Sequence, residues 1–321
     1  MIDFPKPVRT IVNAISEAGI ELYVVGGAVR DSLLKRSIKD FDLVTNRPID
    51  ELLRFFPNRC DINPRYQIIS LKRGGVELEI ARMRRDHSYS GRHSEIDFVE
   101  NIEQDLPRRD FTANAIAYSL MDESLIDPFD GAGDIETRLL RTVGPPKKRF
   151  GEDYFRILRL CRFQLKLDFD VEESTLNAAR ELASGLAGLS PGLVKPELEA
   201  IISNYPLRDV LDTLKTLGIA NALLGQNIIE IPDIEPCSQP VLQFAVLLGV
   251  FGDNSDIFGR LLELQFPRTL VKKAEYLSDS MKFLLGMGPM TVDFDVHRLE
   301  ILDWVDRIGI DIDHVQERFP G

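Results

Sequence analysis

The chain has 321 residues, a formal net charge of −12, and 44% hydrophobic and 28% charged residues. That is enough for two or three domains with a substantial core, and it is the composition of an ordinary globular protein rather than a disordered or fibrous one. Three cysteines, Cys60, Cys161 and Cys237, and four histidines, His87, His93, His297 and His314, lie too far apart for a disulfide framework, a structural zinc site or an HExxH centre.

The N-terminal segment MIDFPKPVRT lacks the apolar core of a signal peptide. The longest apolar run, Val241–Phe251, falls well short of the ~20 residues of a membrane helix. A cytoplasmic protein without a membrane partner is expected; nothing in the sequence bears on oligomeric state. The acidic charge is unevenly distributed. Residues 1–170 carry 27 Lys and Arg against 28 Asp and Glu, whereas residues 171–321 carry 12 against 23. Arginines concentrate at Arg82–Arg92 and Arg138–Arg162, where local phosphate-binding surfaces can form despite the overall balance.

Along the chain, Glu21–Thr45 reads as strand, Gly26-Gly27 turn, helix (Ala28–Arg36) and second strand. Asp40 and Asp42, two apart on that strand, point to one face, with Phe41 and Leu43 on the other. Two aligned carboxylates can hold a hard divalent cation, and a helix start after a glycine turn suits phosphate. Gln67–Leu71 and Val76–Arg82 read as strands of a hairpin through Arg73-Gly74-Gly75. The second strand places Glu77 and Glu79 opposite the apolar face of Val76, Leu78 and Ile80, so it can bring a third carboxylate, Glu79, to Asp40 and Asp42. Together they would hold two divalent cations, Mg²⁺ by oxygen preference, around a reacting phosphate; an exposed edge-strand Glu79 is the plainer alternative.

His87–Ser94 is polar and without periodicity, and reads as a mobile loop. Asp105–Leu120 opens with arginines and then places Ala113, Ile116, Ala117 and Leu120 on one face of an expected helix. Arg108, Arg109, Asp110 and Asn114 cluster at its start: Arg109 can meet a phosphate or base and Asp110 with Asn114 ribose hydroxyls, or Asp110 can be a simple N-cap. DPFDGAGD (Asp127–Asp134) leads to a short helix, and Gly144-Pro145-Pro146 closes the first domain.

Helical signals then dominate, at 152–165, 173–188, 195–204, 207–217, 238–251 and 295–308, with Ile228–Pro240 as a linker. On the 152–165 helix, apolar residues cover most of the circumference. Asp153, Arg156, Arg159 and Arg162 form one polar stripe. Arg156 beside Asp153 offers a donor fork and an acceptor suited to a base edge, with a plain helix salt bridge as the alternative. Arg159 and Arg162 can meet phosphate or a neighbouring domain.

GGAVRD (26–31), DFD (40–42), the Glu79 strand, DLPRRDFTANAIA (105–117), DPFDGAGD (127–134) and RFGEDYFRILRLCRF (149–163) occur in the order found in class II members of the tRNA nucleotidyltransferase/poly(A) polymerase family, within the polymerase-beta-like nucleotidyltransferases. The chain resembles that family over about half its length. The resemblance implies an α+β fold: a nucleotidyltransferase head of mixed sheet and helices over 1–146, a helical neck with the nucleotide-selecting helix over 147–227, and a helical body over 228–321 with a shortened or absent tail. It also implies transfer of CMP and AMP from CTP and ATP to a tRNA 3′ acceptor end, without a nucleic-acid template. Asp40 and Asp42 would bind catalytic metal with Glu79 in support. Gly26, Gly27 and Arg30 would contact the triphosphate, Arg109, Asp110 and Asn114 the nucleotide, and Glu152, Asp153 and Arg156 would select the base, with Arg159 and Arg162 nearby. The Arg84–Asp105 stretch is similar in length to the loop of members that add the terminal A. A-only or CC-only addition, poly(A) synthesis and an inactive RNA-binding homologue are the competing readings; the intact carboxylates argue against the last. Tyr154 stands where many members have proline, and Gly192-Leu193-Val194-Lys195 where they have Glu-Arg-Ile.

Overall fold

A computed structural model describes residues 2–56, 60–73, 75–90, 93–225, 239–252 and 256–284. The chain divides into two compact units: Met1–Asp153 with Phe169–Thr175, and Tyr154–Asp168 with Leu176–Gly321.

The first unit begins with α1 (Lys6–Glu17), which buries Val8, Ile11, Val12 and Ile15, one face at helical spacing. There follow β1 (Tyr23–Val25), α2 (Gly27–Leu33), β2 (Asp40–Thr45), β3 (Asp61–Asn63), β4 (Ile68–Arg73), β5 (Val76–Arg82), β6 (Arg84–Ser90), β7 (His93–Phe98), α3 (Ile102–Asp105), β8 (Ala117–Ser119), β9 (Leu125–Ile126), α4 (Gly131–Glu136), β10 (Leu139–Leu140), α5 (Pro146–Glu152) and β11 (Asp170–Val171). The main sheet runs β3-β4-β5-β2-β1-β8-β9. Its β2–β5 pair is parallel; the others are antiparallel. On β2, Phe41 and Leu43 are buried between exposed Asp40 and Asp42, and the Phe41 ring lies 5.2 Å from that of Phe4. At one end Val25, Val44, Ala81, Met83, Val99, Ile102, Leu106 and Ala117 form a continuous core.

Three sequence expectations change. The expected mobile loop is the β6–β7 hairpin, whose rungs run from Arg84 opposite Phe98 to Ser90 opposite His93. A two-stranded ribbon is held by backbone bonds and cross-strand pairs, so it needs no apolar alternation to form. The expected Asp105–Leu120 helix is instead the end of α3, a 3₁₀ turn at Leu106–Arg108, extended backbone, a second 3₁₀ turn at Thr112–Asn114, and β8. Phe111, Ala113, Ala115, Ile116 and Ala117 are all buried, and a segment buried on every side carries no diagnostic period. The helix after Gly27 stops at Leu33, a turn earlier than expected.

The second unit holds α6 (Phe155–Leu167), α8 (Pro191–Asn204), α9 (Leu207–Thr216), α10 (Ile219–Leu224), α11 (Pro240–Phe251), α12 (Ile257–Glu263) and α13 (Arg268–Leu284), together with most of α7 (Glu173–Leu182). On α11 Leu242, Phe244, Ala245, Val246, Leu247, Leu248 and Val250 are all buried, as expected of a helix apolar around its circumference. Among the described residues no helix is long and apolar enough to cross a membrane. Most of the expected linker and the whole expected 295–308 helix lie outside the described residues.

Candidate active site

The carboxylate face comes from strand register. Asp40 lies opposite Glu77 and Asp42 opposite Glu79 across the parallel β2–β5 pair, so four acidic side chains project from one side of two neighbouring strands. Glu77 is tied to Lys72 at 2.8 Å. Glu79 is half-buried, and its carboxyl is pushed above the ordinary range, first by burial and then by the charges of Asp42 and Glu77. Folding thus leaves acidic groups repelling one another on this face.

A cation of the oxygen-seeking class would relieve that repulsion. Among the described residues no three acidic, histidine or cysteine side chains form a ready-made metal cage. Asp40, Asp42 and Glu79 nevertheless share one face of the β2–β5 pair, as read from the strand periodicity. Mg²⁺ is commonly held by one or two carboxylates plus substrate phosphates, a set that Asp40 and Asp42 could supply from the protein side.

Next to this face, the β1–α2 turn requires glycine. Gly26 has φ 68° and ψ −129°, which side chains oppose, and a Cβ there would lie 3.2 Å from the Arg109 guanidinium. Arg109 is thus seated against the glycine turn. Asp105 anchors it: Oδ2 accepts from Arg109 Nη2 at 3.1 Å, while Oδ1 accepts from Arg108 Nε at 2.9 Å and from the Arg84 backbone N–H at 3.1 Å. Burial alone would raise the Asp105 carboxyl, but Arg108, Arg109 and the Arg84 N–H more than offset this and hold it below the usual carboxylate range. Burial, against the pull of Asp105, lowers Arg109.

Behind the turn runs a second network. Arg30, 1% exposed, donates from Nε to Asp31 at 2.8 Å and from Nη1 to Asn114 Oδ1. Asn114 Nδ2 donates to Asp110 Oδ1 at 3.0 Å, which also accepts the Phe111 N–H at 2.8 Å. Arg30 therefore braces Asn114 and Asp110 from inside the fold, a positioning place rather than the open triphosphate contact expected. With no helix after it, Asp110 is not a helix N-cap. The DPFDGAGD segment supports the same turn: Asp127 accepts the N–H groups of Gly131 and Ala132, both at 2.8 Å, and Asp134 accepts from Thr112 Oγ1 and from Arg141 Nε at 3.1 Å.

At the end of this unit Glu152 receives Arg149 Nη1 at 3.0 Å, and Asp153 has extended backbone, φ −155°. The single helix expected over 152–165 is therefore broken: α5 ends at Glu152 and α6 starts at Phe155, so Asp153 does not share a helix face with Arg156. In the helical unit Arg156 is 7% exposed. The Arg159 and Arg162 guanidiniums lie over the Phe163 ring at 5.2 and 4.9 Å, and Arg162 is also paired with Glu197 of α8. The ring of Tyr154 occupies the space that a Cβ on Gly185 would need, at 2.4 Å, so glycine there accommodates tyrosine in place of proline.

Sequence reasoning missed Asp105, Arg84 and Asp134. For Asp105 a signal existed, since it precedes Arg108 and Arg109 by three and four residues, the spacing of adjacent groups on one helical turn.

Residues 22–141 match the Poly A polymerase head domain family. The chain is 38% identical over 212 residues to a CCA-adding enzyme of Streptococcus gordonii, covering 65% of this chain and 52% of that one. It is 32% identical over 282 residues to the CCA-adding enzyme of Bacillus subtilis, covering 84% and 70%. Its fold matches the crystal structure of Bacillus stearothermophilus CCA-adding enzyme in complex with CTP, with a TM-score of 0.72, 27% identity, and coverage of 98% of this chain and 79% of that one. The chain spans about half the length of several of the curated relatives it matches. The mixed-sheet head, the order of its motifs and the extent of the Bacillus subtilis match establish that the chain belongs to the class II tRNA nucleotidyltransferase family.

Proposed function

We propose that this chain adds CMP and AMP, from CTP and ATP, to the 3′ end of tRNA, completing or repairing CCA without a nucleic-acid template. The observation that carries the reading is the placement of Asp40, Asp42 and Glu79 on one face of the β2–β5 pair beside a glycine turn against which Arg109 is seated. The relatives bear the name CCA-adding enzyme, and the solved relative holds CTP. In this reading the reaction belongs to the cytosol and the chain is organised as head (1–146), neck (147–227) and body (228–321).

Asp40 and Asp42 would hold Mg²⁺, two ions in the reacting complex, which when bound lowers the pKa of the attacking RNA 3′-hydroxyl and neutralises the departing pyrophosphate. Glu79 keeps the face negative and so favours cation entry. Arg109 and the backbone at Gly27 hold the triphosphate, fixing its α-phosphate for in-line attack. Asp110 and Asn114 meet the ribose, with Arg30 fixing Asn114 from behind. Glu152, Asp153 and Arg156 are assigned to base choice on the family's pattern. Arg159 and Arg162 are left outside it, because Phe163 and Glu197 give them partners within the helical unit. The length of the Arg84–Asp105 stretch, which includes β6 and β7, supports addition of the terminal A as well as the two C residues.

The test is an assay of all four nucleoside triphosphates with Mg²⁺ on tRNAs ending at the discriminator base, at C and at CC. Two CMP and then one AMP should be added, with UTP and GTP refused. ATP-only extension of unstructured RNA would replace this reading with poly(A) synthesis, and arrest after CC or activity only on CC-ended tRNA with a partial enzyme.

A further inference from the structure

Asp105 itself has no part in the chemistry just described, yet the buried charge cluster around it bears on the site. Asp105 is 0% exposed and cannot touch a substrate. Its carboxylate joins three pieces of chain: the first residue of β6 through the Arg84 N–H, and the two consecutive guanidiniums of Arg108 and Arg109. Arg84 itself stacks on Tyr66 at 5.0 Å and lies 3.6 Å from Asp86. Arg84, Arg108 and Arg109 would repel one another without an internal anion, and Arg108 is among the charges that lower Arg84.

The division of the two carboxylate oxygens is informative. Oδ1 accepts from Arg84 and Arg108, while Oδ2 accepts from Arg109. Arg109 is the guanidinium that rests on Gly26, and its buried Nε has no hydrogen-bond partner among the described residues. A buried donor without a partner costs free energy, so the orientation of this guanidinium depends on the contacts that its other nitrogens make. Asp105 Oδ2 is thus the contact that fixes the direction of this arginine.

We infer that Asp105 is a positioning residue: from the base of the β6–β7 hairpin it aims Arg109 across Gly26 at the nucleotide triphosphate. The inference rests on the proposed function for the identity of the ligand.

Asp105→Asn is the discriminating change. The amide oxygen can still accept from Arg84 and Arg108, but the amide NH₂ then faces Arg109, donor against donor. CTP affinity measured calorimetrically on the full chain should fall roughly tenfold or more, the worth of a charge-assisted hydrogen bond. KM for CTP should rise by a larger factor than kcat falls. Arg109→Ala should weaken binding similarly, and the double variant should bind no worse than Arg109→Ala, because Asp105 acts through that residue. Wild-type affinity in Asp105→Asn, or an additional loss in the double variant, would overturn the inference. Should Asp105→Asn fail to fold, Asp105→Glu keeps the charge and moves it by one methylene; weakened CTP binding supports a role in aiming Arg109, and unchanged binding refutes it. Extension of tRNA by the wild-type chain is measured alongside. CTP binding without extension would refute the proposed function, while the affinity comparison still decides the role of Asp105.

Discussion

The β2–β5 face and helix α6 both carry charges at regular spacing, and the fold treats them in opposite ways. On the sheet, Asp40 and Asp42 are exposed and face Glu77 and Glu79 in register, so like charges are left in mutual repulsion. On α6, Arg162 is neutralised by Glu197 and lies over Phe163, and Arg159 covers the same ring. Charges balanced within the fold are explained by folding. Like charges gathered on one face of a strand pair, with Asp42 and Glu77 raising the Glu79 carboxyl, are the kind of surface to which a divalent cation with substrate phosphates would add the missing attraction.

The largest expected effect breaks that comparison at its acidic end. Asp42→Ala removes an exposed carboxylate, so stability should change by no more than about 0.5 kcal/mol, as at most surface positions. Transfer of CMP to tRNA should fall by at least about 10³-fold, since metal-assisted charge stabilisation is worth several kcal/mol. Retained transfer with an unchanged melting midpoint would show that the acidic face is ordinary solvated surface.

The same contrast explains what the sequence could show. Asp40 and Asp42 were legible because strand periodicity is two and Phe41 and Leu43 mark the buried side; Glu79 followed from the same rule on β5. The Asp153–Arg156 spacing is misleading because a helical period runs through Asp153 in the sequence, whereas the backbone is extended there between α5 and α6. Position 154, where many members have proline, marked the place where a break was possible. The turn at Thr112–Asn114 is not legible in the sequence because uniform burial removes any period. The buried anchors Asp105 and Asp134 depend on residues brought together by the fold, and Asp134 meets Thr112 from 22 residues away.

The second effect sharpens the contrast by examining a charge that the fold does balance. Asp105 has a carboxyl held below its ordinary value of 3.8, so the unfolded chain binds its proton more tightly than the folded one. The stabilisation is complete above the unfolded value and is lost as pH falls through the lower folded value. Urea unfolding of the wild type should lose stability across that acid range, and Asp105→Asn should show a shallower loss there. At neutral pH the variant should be less stable by about 3 kcal/mol or more, as when one partner of a buried ion pair is removed. Parallel acid limbs for the two proteins would show that Asp105 is not the balancing charge.

The smallest effect tests whether DPFDGAGD is a brace or a contact surface. Gly131 opens α4 so close to the Thr112–Asn114 turn that a Cβ would lie 2.2 Å from the Thr112 carbonyl oxygen. Backbone occupies that space, so the clash can be relieved only by moving α4 or the turn. Gly131→Ala should therefore cost about 1–3 kcal/mol in urea unfolding, the range for overpacking. Because Asn114 and Asp110 lie on or beside that turn, the same displacement should raise KM for CTP, while leaving the Asp40–Asp42 face, on a separate pair of strands, unaltered. A variant that loses stability and keeps wild-type KM would confine the motif to folding. One that loses activity through kcat alone would mean that the carboxylate face and the arginine-bearing segment move together, and the distinction between them would have to be given up.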